Sequence, residues 1–194
     1  VTDYVNWFED GARPYFEKGL LPLAGKPNLK FVQLGVFTGN ASVWMHDNVL
    51  THPLSQLWDV DTWEGGSDLA DVDFHEVWAL YNARVRGRPR IHTRRETTDE
   101  FFRTPPYEGR WADFIYIDAD HTEFAVLLDA LHSHCIIKSG GIIAFDDVIW
   151  GIKEEIPLRD RPEFAIKSFL HATEGSYKYL GGSMDANQLW IERV

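Results

Sequence analysis

The sequence predicts an α/β protein built on an open, doubly wound, mostly parallel sheet with helices on both faces. Three observations lead there. Short strand-like runs alternate with stretches of helical periodicity, the pattern of a parallel sheet covered on both sides. Arg90 to Thr93 aside, the five runs are mainly apolar, as suits strands covered on both faces. They also end in glycines or carboxylates, as in "QLGVFTGNAS", "FIYIDADHTEF" and "GGIIAFDDVIW".

The expected strands are Phe31 to Gly35, Gln56 to Val60, Arg90 to Thr93, Phe114 to Asp118 and Gly141 to Phe145. Between the second and third, "FHEVWALYNARV" places Phe74, Val77, Trp78, Tyr81 and Val85 on one helical stripe. Thr122 is positioned to cap a helix carrying Phe124, Leu127, Leu128 and Leu131, which "KSGG" is expected to end. A helix around Glu163 to Ala172 precedes "YKYLGG" and "NQLWIERV", two strands expected to pair as a hairpin. At the other end Tyr4, Val5, Phe8, Ala12, Tyr15 and Phe16 have helical spacing interrupted by Gly11 and Pro14. Two short or kinked helices outside the sheet are expected there. The 194 residues thus read as a single domain, 1–194: an N-terminal helical segment (1–29), a ligand-binding core (30–150) and a C-terminal helix and hairpin (151–194).

Bulk chemistry narrows the function. A formal net charge of −11 repels nucleic acid unless a local basic patch compensates. The best basic run, residues 83–95, lacks interleaved aromatic platforms and reads as a solvated helix end and loop. "TPPY" (104–107) resembles the loop of amino-methyltransferases that act on bases. It stands before the fourth strand rather than after it, and reads as a loop breaker. No apolar run is long enough for a bilayer and no basic-then-apolar leader begins the sequence, so a cytoplasmic protein with no membrane partner is expected. The one cysteine, Cys135, excludes an internal disulfide and reads as a small buried hydrophobe. His132 and His134, two apart at a helix end, read as surface residues rather than a metal pair.

Ligands of such sheets bind beyond the carboxyl ends of the strands, where strand order reverses. Gly35 and Gly39, with three residues between them, permit a tight turn into a helix but do not complete a dinucleotide fingerprint. Asp61, at the end of the second strand, is placed to accept hydrogen bonds from a ribose diol; Asp59, two residues earlier, is the alternative. Glu96 and Thr97 follow the third strand, where they either meet an adenine edge or simply cap a helix.

In order and spacing, "QLGVFTGNAS", "WDVDTWEGG", "FIYIDADHTEF" and "SGGIIAFDDV" resemble class I S-adenosylmethionine-dependent methyltransferases. The likeness is greatest to the metal-assisted O-methyltransferase branch of catechol, caffeoyl-CoA and macrocin-type enzymes. It covers residues 28–150, and the C-terminal segment by pattern only. It implies a Rossmann-like sheet of seven strands, the last antiparallel. It implies further that Gly35 and Gly39 line the methionine part of the cofactor, that Asp61 holds its ribose, and that Asp118, Asp146 and Asp147 are divalent-cation ligands. His121 matches the general base of the macrocin-type members, with a structural histidine as its other reading. Gln33 stands where the family usually has Glu, and Ala41 where a Ser often holds the cofactor carboxylate; Ser42 is the candidate substitute.

Physical chemistry supports a cation at this cluster. Three carboxylates brought together raise one another's pKa unless a cation neutralises them, and oxygen-only ligands suit Mg²⁺ or another hard divalent ion. A substrate hydroxyl held there is easier to deprotonate and is fixed for attack on the sulfonium methyl. The expected partner is therefore a small hydroxylated acceptor. Asp120 either orients His121 or faces solvent, and the aromatic N-terminal helices offer a surface for a homodimer.

Overall fold

A computed structural model describes residues 4–66, 69–153 and 155–194. Seven strands form one sheet: β1 (Lys30–Leu34), β2 (Gln56–Asp61), β3 (Ile91–Arg95), β4 (Ala112–Ile117), β5 (Ile137–Phe145), β6 (Tyr177–Gly182) and β7 (Leu189–Arg193), in the order β3-β2-β1-β4-β5-β7-β6. The first five are mutually parallel, and β7 runs antiparallel to both β5 and β6. Strand order reverses between β1 and β4, so their carboxyl ends flank a crevice.

Side chains alternate strictly across the central strands. Val32, Leu34, Ile115 and Ile117 face a core closed by α4 (Thr98–Arg103), α5 (Glu123–Ile136) and α6 (Pro162–Ala172) through Phe101, Val126 and Phe169. Phe31, Phe114 and Tyr116 face the opposite core. That one is closed by α1 (Arg13–Leu20) and α2 (Asn40–Asn48) through Phe16, Leu20 and Met45, while α3 (Phe74–Val85) sets Val77 and Tyr81 beside Trp63. The N-terminal interruption takes the form of a π-helical turn, Phe8–Ala12, leading directly into α1 with Pro14 in its first turn. Among the described residues no helix is long and apolar enough to cross a membrane.

Three local expectations are corrected. "KSGG" does not end the helix: α5 stops at Ile136 and β5 begins at Ile137, absorbing Lys138 to Gly141 as an irregularity opposite Ala112 and Phe114. The left-handed backbone of Gly140 (φ +76°) and the 2.7 Å ion pair between Lys138 and Asp113 hold that bulge. Cys135 is exposed, because the buried stripe of α5 runs through Val126, Asp129, Ala130 and Ser133 and leaves Phe124, Leu131 and Cys135 outside. His132 and His134 are half-buried, one packed on Phe102 and the other 2.9 Å from the Tyr177 hydroxyl.

Candidate active site

Four strand ends and the turns that follow them build the site. After β1, Gly35 and Gly39 both take left-handed backbones at φ +79°, and β-carbons there would run into the Asp118 backbone and the Tyr81 ring. The turn between them is held on every side. The Asp61 carboxylate accepts from the backbone N–H of Val36 (2.8 Å), Phe37 (3.0 Å) and Trp63 (2.7 Å). The Trp63 indole N–H donates to the Phe37 carbonyl (2.9 Å), and Arg84 donates to that of Thr38 (2.9 Å). Asp61, expected at a ribose, thus has one oxygen engaged in fixing the glycine turn and the other in fixing the turn after β2. Phe37, Trp63 and Asp147 all have positive φ without being glycine, which concentrates backbone strain at this edge of the sheet.

One or two residues back from the strand ends, a polar row crosses the sheet on the α1/α2 face. Register pairs Thr93 with Asp59, Asp59 with Gln33, and Gln33 with Tyr116. Asp59 is fully buried and accepts from the Tyr81 hydroxyl (3.0 Å), so it reaches no ligand. Burial pushes its carboxyl up to about 7; the hydrogen bond from Tyr81 opposes the shift, and the charge of Asp61 adds to it. Ser42 is equally buried, its hydroxyl donating to Gln33 (3.1 Å), while Gln33 Nε2 donates to the Gly35 carbonyl (3.0 Å). A glutamate at position 33 has no donor for that carbonyl. Ser42 therefore supports Gln33 from behind, and Ala41 rather than Ser42 borders the crevice.

The acidic ends of β4 and β5 come together as their sequence suggests. Burial, then the charges of Asp146, Asp147 and Asp61, raise the Asp118 carboxyl well above the usual carboxylate range. Asp146 is pushed up to about 6, by burial first and then by Asp147. Its oxygens receive the Tyr116 hydroxyl, the Asp147 N–H (2.8 Å) and the Asn187 amide (3.0 Å). His121 stands beside this pair, with Nε2 3.5 Å from Asp147 Oδ2 and its ring 4.9 Å from that of Trp150. Asp120 accepts from the Thr122 N–H (2.7 Å), and Thr122 in turn caps α5, which fixes the loop carrying His121. Among the described residues no three His, Cys, Asp or Glu side chains converge into a group that could hold a metal ion.

A crevice of about 60 Å³ remains between these elements, and of the expected site residues Gln33, Asp118 and Asp146 line it. Its other wall is the N-terminal segment, through Val5, Trp7, Phe8 and Ala12. Trp7 and Tyr4 pack on Phe37 with ring centroids 4.9 and 5.6 Å apart, and the Tyr4 hydroxyl donates to Glu76 (3.2 Å). Glu96 and Thr97 lie at the β3 end, where Glu96 pairs with Arg94 (2.6 Å) and Thr97 caps α4 in a reciprocal box with Glu100. Of the two readings for Thr97, the cap is the one in place.

Sequence reasoning missed Tyr116, Gln188, Tyr81 and Arg84. Gln188 donates to the Tyr116 hydroxyl (3.1 Å) and accepts from the Trp190 indole (2.9 Å), so Asp146 is braced from inside the sheet. The available signal was Tyr116 itself, a polar-tipped aromatic two residues before the first carboxylate and on the same strand face as Phe114.

A family model described as "Methyltransferase domain" matches residues 32–148. A caffeoyl-CoA O-methyltransferase of Stellaria longipes is 30% identical over 76 residues, 39% of this chain and 30% of that protein, so the chain matches about a third of that curated relative's length. The O-methyltransferase TomG of Streptomyces achromogenes, solved with S-adenosylmethionine, shares the fold at a TM-score of 0.62 and 13% identity, over 100% of this chain and 92% of that one. A Bacillus cereus O-methyltransferase solved with S-adenosylhomocysteine does so at 0.59 and 14% identity, over 85% and 73%.

Proposed function

Since this chain belongs to the methyltransferase-domain family, we propose that it transfers a methyl group from S-adenosylmethionine to a hydroxyl of a small molecule, with a divalent cation at Asp118, Asp146 and Asp147. The observation that supports this reading is that Asp118 lies within the electrostatic reach of Asp146 and Asp147 at the ends of β4 and β5, with His121 beside Asp147 and Gly35 of the glycine turn against the Asp118 backbone. The three carboxylates are not drawn into a closed metal group among the described residues.

The donor set suits a hard cation in type and in charge. All the candidate donor atoms are carboxylate oxygens, and the proton affinities of Asp118 and Asp146 are raised partly by neighbouring carboxylates, a repulsion that a cation would relieve. When bound, the cation supplies Lewis acidity that eases loss of the acceptor's proton. The remaining work falls to the chain. Tyr116 and Asn187 orient Asp146, while the Asp147 carboxylate faces His121 Nε2, which is the atom assigned to accept the acceptor's proton. The glycine turn, braced by Asp61, Trp63 and Arg84, presents a fixed backbone surface to the methionine end of the cofactor.

Calorimetric titration with S-adenosylhomocysteine, with and without Mg²⁺, is the direct test, followed by methyl-transfer assays on catechols and sugars with and without EDTA. Binding of S-adenosylhomocysteine is expected in either buffer, and activity only where the cation is present. Absence of cofactor binding defeats the whole reading; activity untouched by EDTA defeats the cation alone.

A further inference from the structure

A second cavity, of about 330 Å³, opens on the outer side of α2 against the end of α3 and the N-terminal π-helical turn, lined among others by Glu9, Asn40, Trp44, Asp47, Arg84 and Arg88. Its lining carries two acids and two arginines, and both acids already have cationic partners. Glu9 is paired with Arg13 (2.6 Å), which lies outside the cavity lining and also holds Glu17 (2.9 Å), and Asp47 is clamped by Nη2 and Nε of Arg88 (2.7 and 3.2 Å) and by His46 (2.6 Å). Arg84 has no such partner. Its hydrogen bond is to the neutral carbonyl of Thr38 (2.9 Å), and no carboxylate pairs with it among the described residues. Burial lowers its proton affinity with no neighbouring acid to offset the loss. In a chain with 30 acidic residues against 19 basic ones, a partly buried guanidinium without an acid partner is conspicuous.

We propose that this cavity is an oxyanion-binding site, in which Arg84 pairs with the carboxylate or phosphate of a small ligand whose apolar part lies along Val43 and Trp44. One carbonyl uses a single one of the five guanidinium N–H donors, and the planar fork suits a two-oxygen anion. The volume is at the lower end of what small-molecule sites occupy, so the ligand is small. The ion-paired Arg88 contributes a fixed wall. At physiological ionic strength the repulsion from the chain's distant acids is screened within about 8 Å, which leaves the local charge of the cavity to decide.

The test needs no cofactor and is separate from the methyl-transfer reading. Equilibrium dialysis of the whole chain with labelled inorganic phosphate at constant ionic strength should give saturable binding of one phosphate per chain. Acetate should displace it if the site accepts carboxylates; failure of acetate to compete restricts the ligand to phosphates. Arg84→Gln should weaken binding by at least about tenfold, the scale of one charge-assisted hydrogen bond. Val43→Glu, which leaves Arg84 and its carbonyl contact in place but adds a negative charge to the cavity, should do the same. No saturable binding to the wild-type chain, or equal binding by the wild type and both variants, overturns the proposal.

Discussion

A β-carbon on Gly35 would stand 1.8 Å from the carbonyl oxygen of Asp118. The end of β1 and the end of β4 therefore approach as closely as two backbones can, and the first carboxylate of the acidic cluster is positioned by a glycine on a neighbouring strand. Gly35→Ala must shift one of the two backbones and also hold alanine at φ +79°. Left-handed strain and overpacking together should cost about 3 kcal/mol in urea unfolding. An unchanged midpoint would show that the two ends are not locked together.

Asp59 makes stability depend on pH. Its carboxyl is raised to about 7 in the folded chain, above its ordinary value, so between roughly pH 4 and 7 the folded state holds a proton that the unfolded state has lost. This group's contribution is accordingly most favourable on the acidic side and declines as pH rises through that window, levelling off above about 7. Asp59→Asn keeps an acceptor for Tyr81 and removes the titration. It should match the wild type near pH 4 and exceed it at pH 8, by at most about 4 kcal/mol. Parallel stability profiles for the two chains across that window would contradict this account.

The fold was legible because its signals are local. The strands, the stripe on α3 and the Thr122 cap each follow from residues within one element, and each appears within a residue or two of where the sequence put it, except that β5 begins four residues early, at Ile137. The acids at the strand ends were legible for the same reason. What each site residue touches was not, because those partners come from register and from distant loops: Asp61 is engaged by the β1 turn, Ser42 by Gln33, and Asp146 by Tyr116 and Asn187. Cys135 was misread because the sequence shows that α5 is amphipathic without fixing which stripe meets the sheet.

Trp7 lines the crevice that the proposed function assigns to the cofactor. The crevice beneath it holds only about 60 Å³, far below the roughly 300 Å³ at which small-molecule sites begin, so on that proposal the N-terminal segment would have to move for S-adenosylmethionine to enter. Its contact with Phe37 is an aromatic pair of the kind that contributes about 0.5–1.5 kcal/mol, and removing that much shifts the open population about 2- to 10-fold. Trp7→Ala should accelerate association of S-adenosylhomocysteine by that factor in stopped-flow fluorescence. Equal or slower association would mean that the segment does not obstruct entry.

His121 is the group assigned to take the acceptor's proton, and its surroundings define what its loss should do. It lies on a loop fixed by the Asp120 to Thr122 hydrogen bond, against Trp150, with its Nε2 toward Asp147. Its ion-pair and ring partners, Asp147 and Trp150, belong to the β5 end rather than the glycine turn, so His121→Ala should leave S-adenosylhomocysteine affinity unchanged in calorimetry. A positioned base contributes about 10² to 10⁴ in rate, and turnover should fall by that order. His121→Gln preserves polarity and a hydrogen-bonding amide but cannot accept a proton at neutral pH, so it should be as slow as the alanine variant. If the glutamine restores turnover, the residue only orients the acceptor. If both variants turn over like the wild type, proton removal belongs to solvent and His121 is a structural neighbour of Asp147.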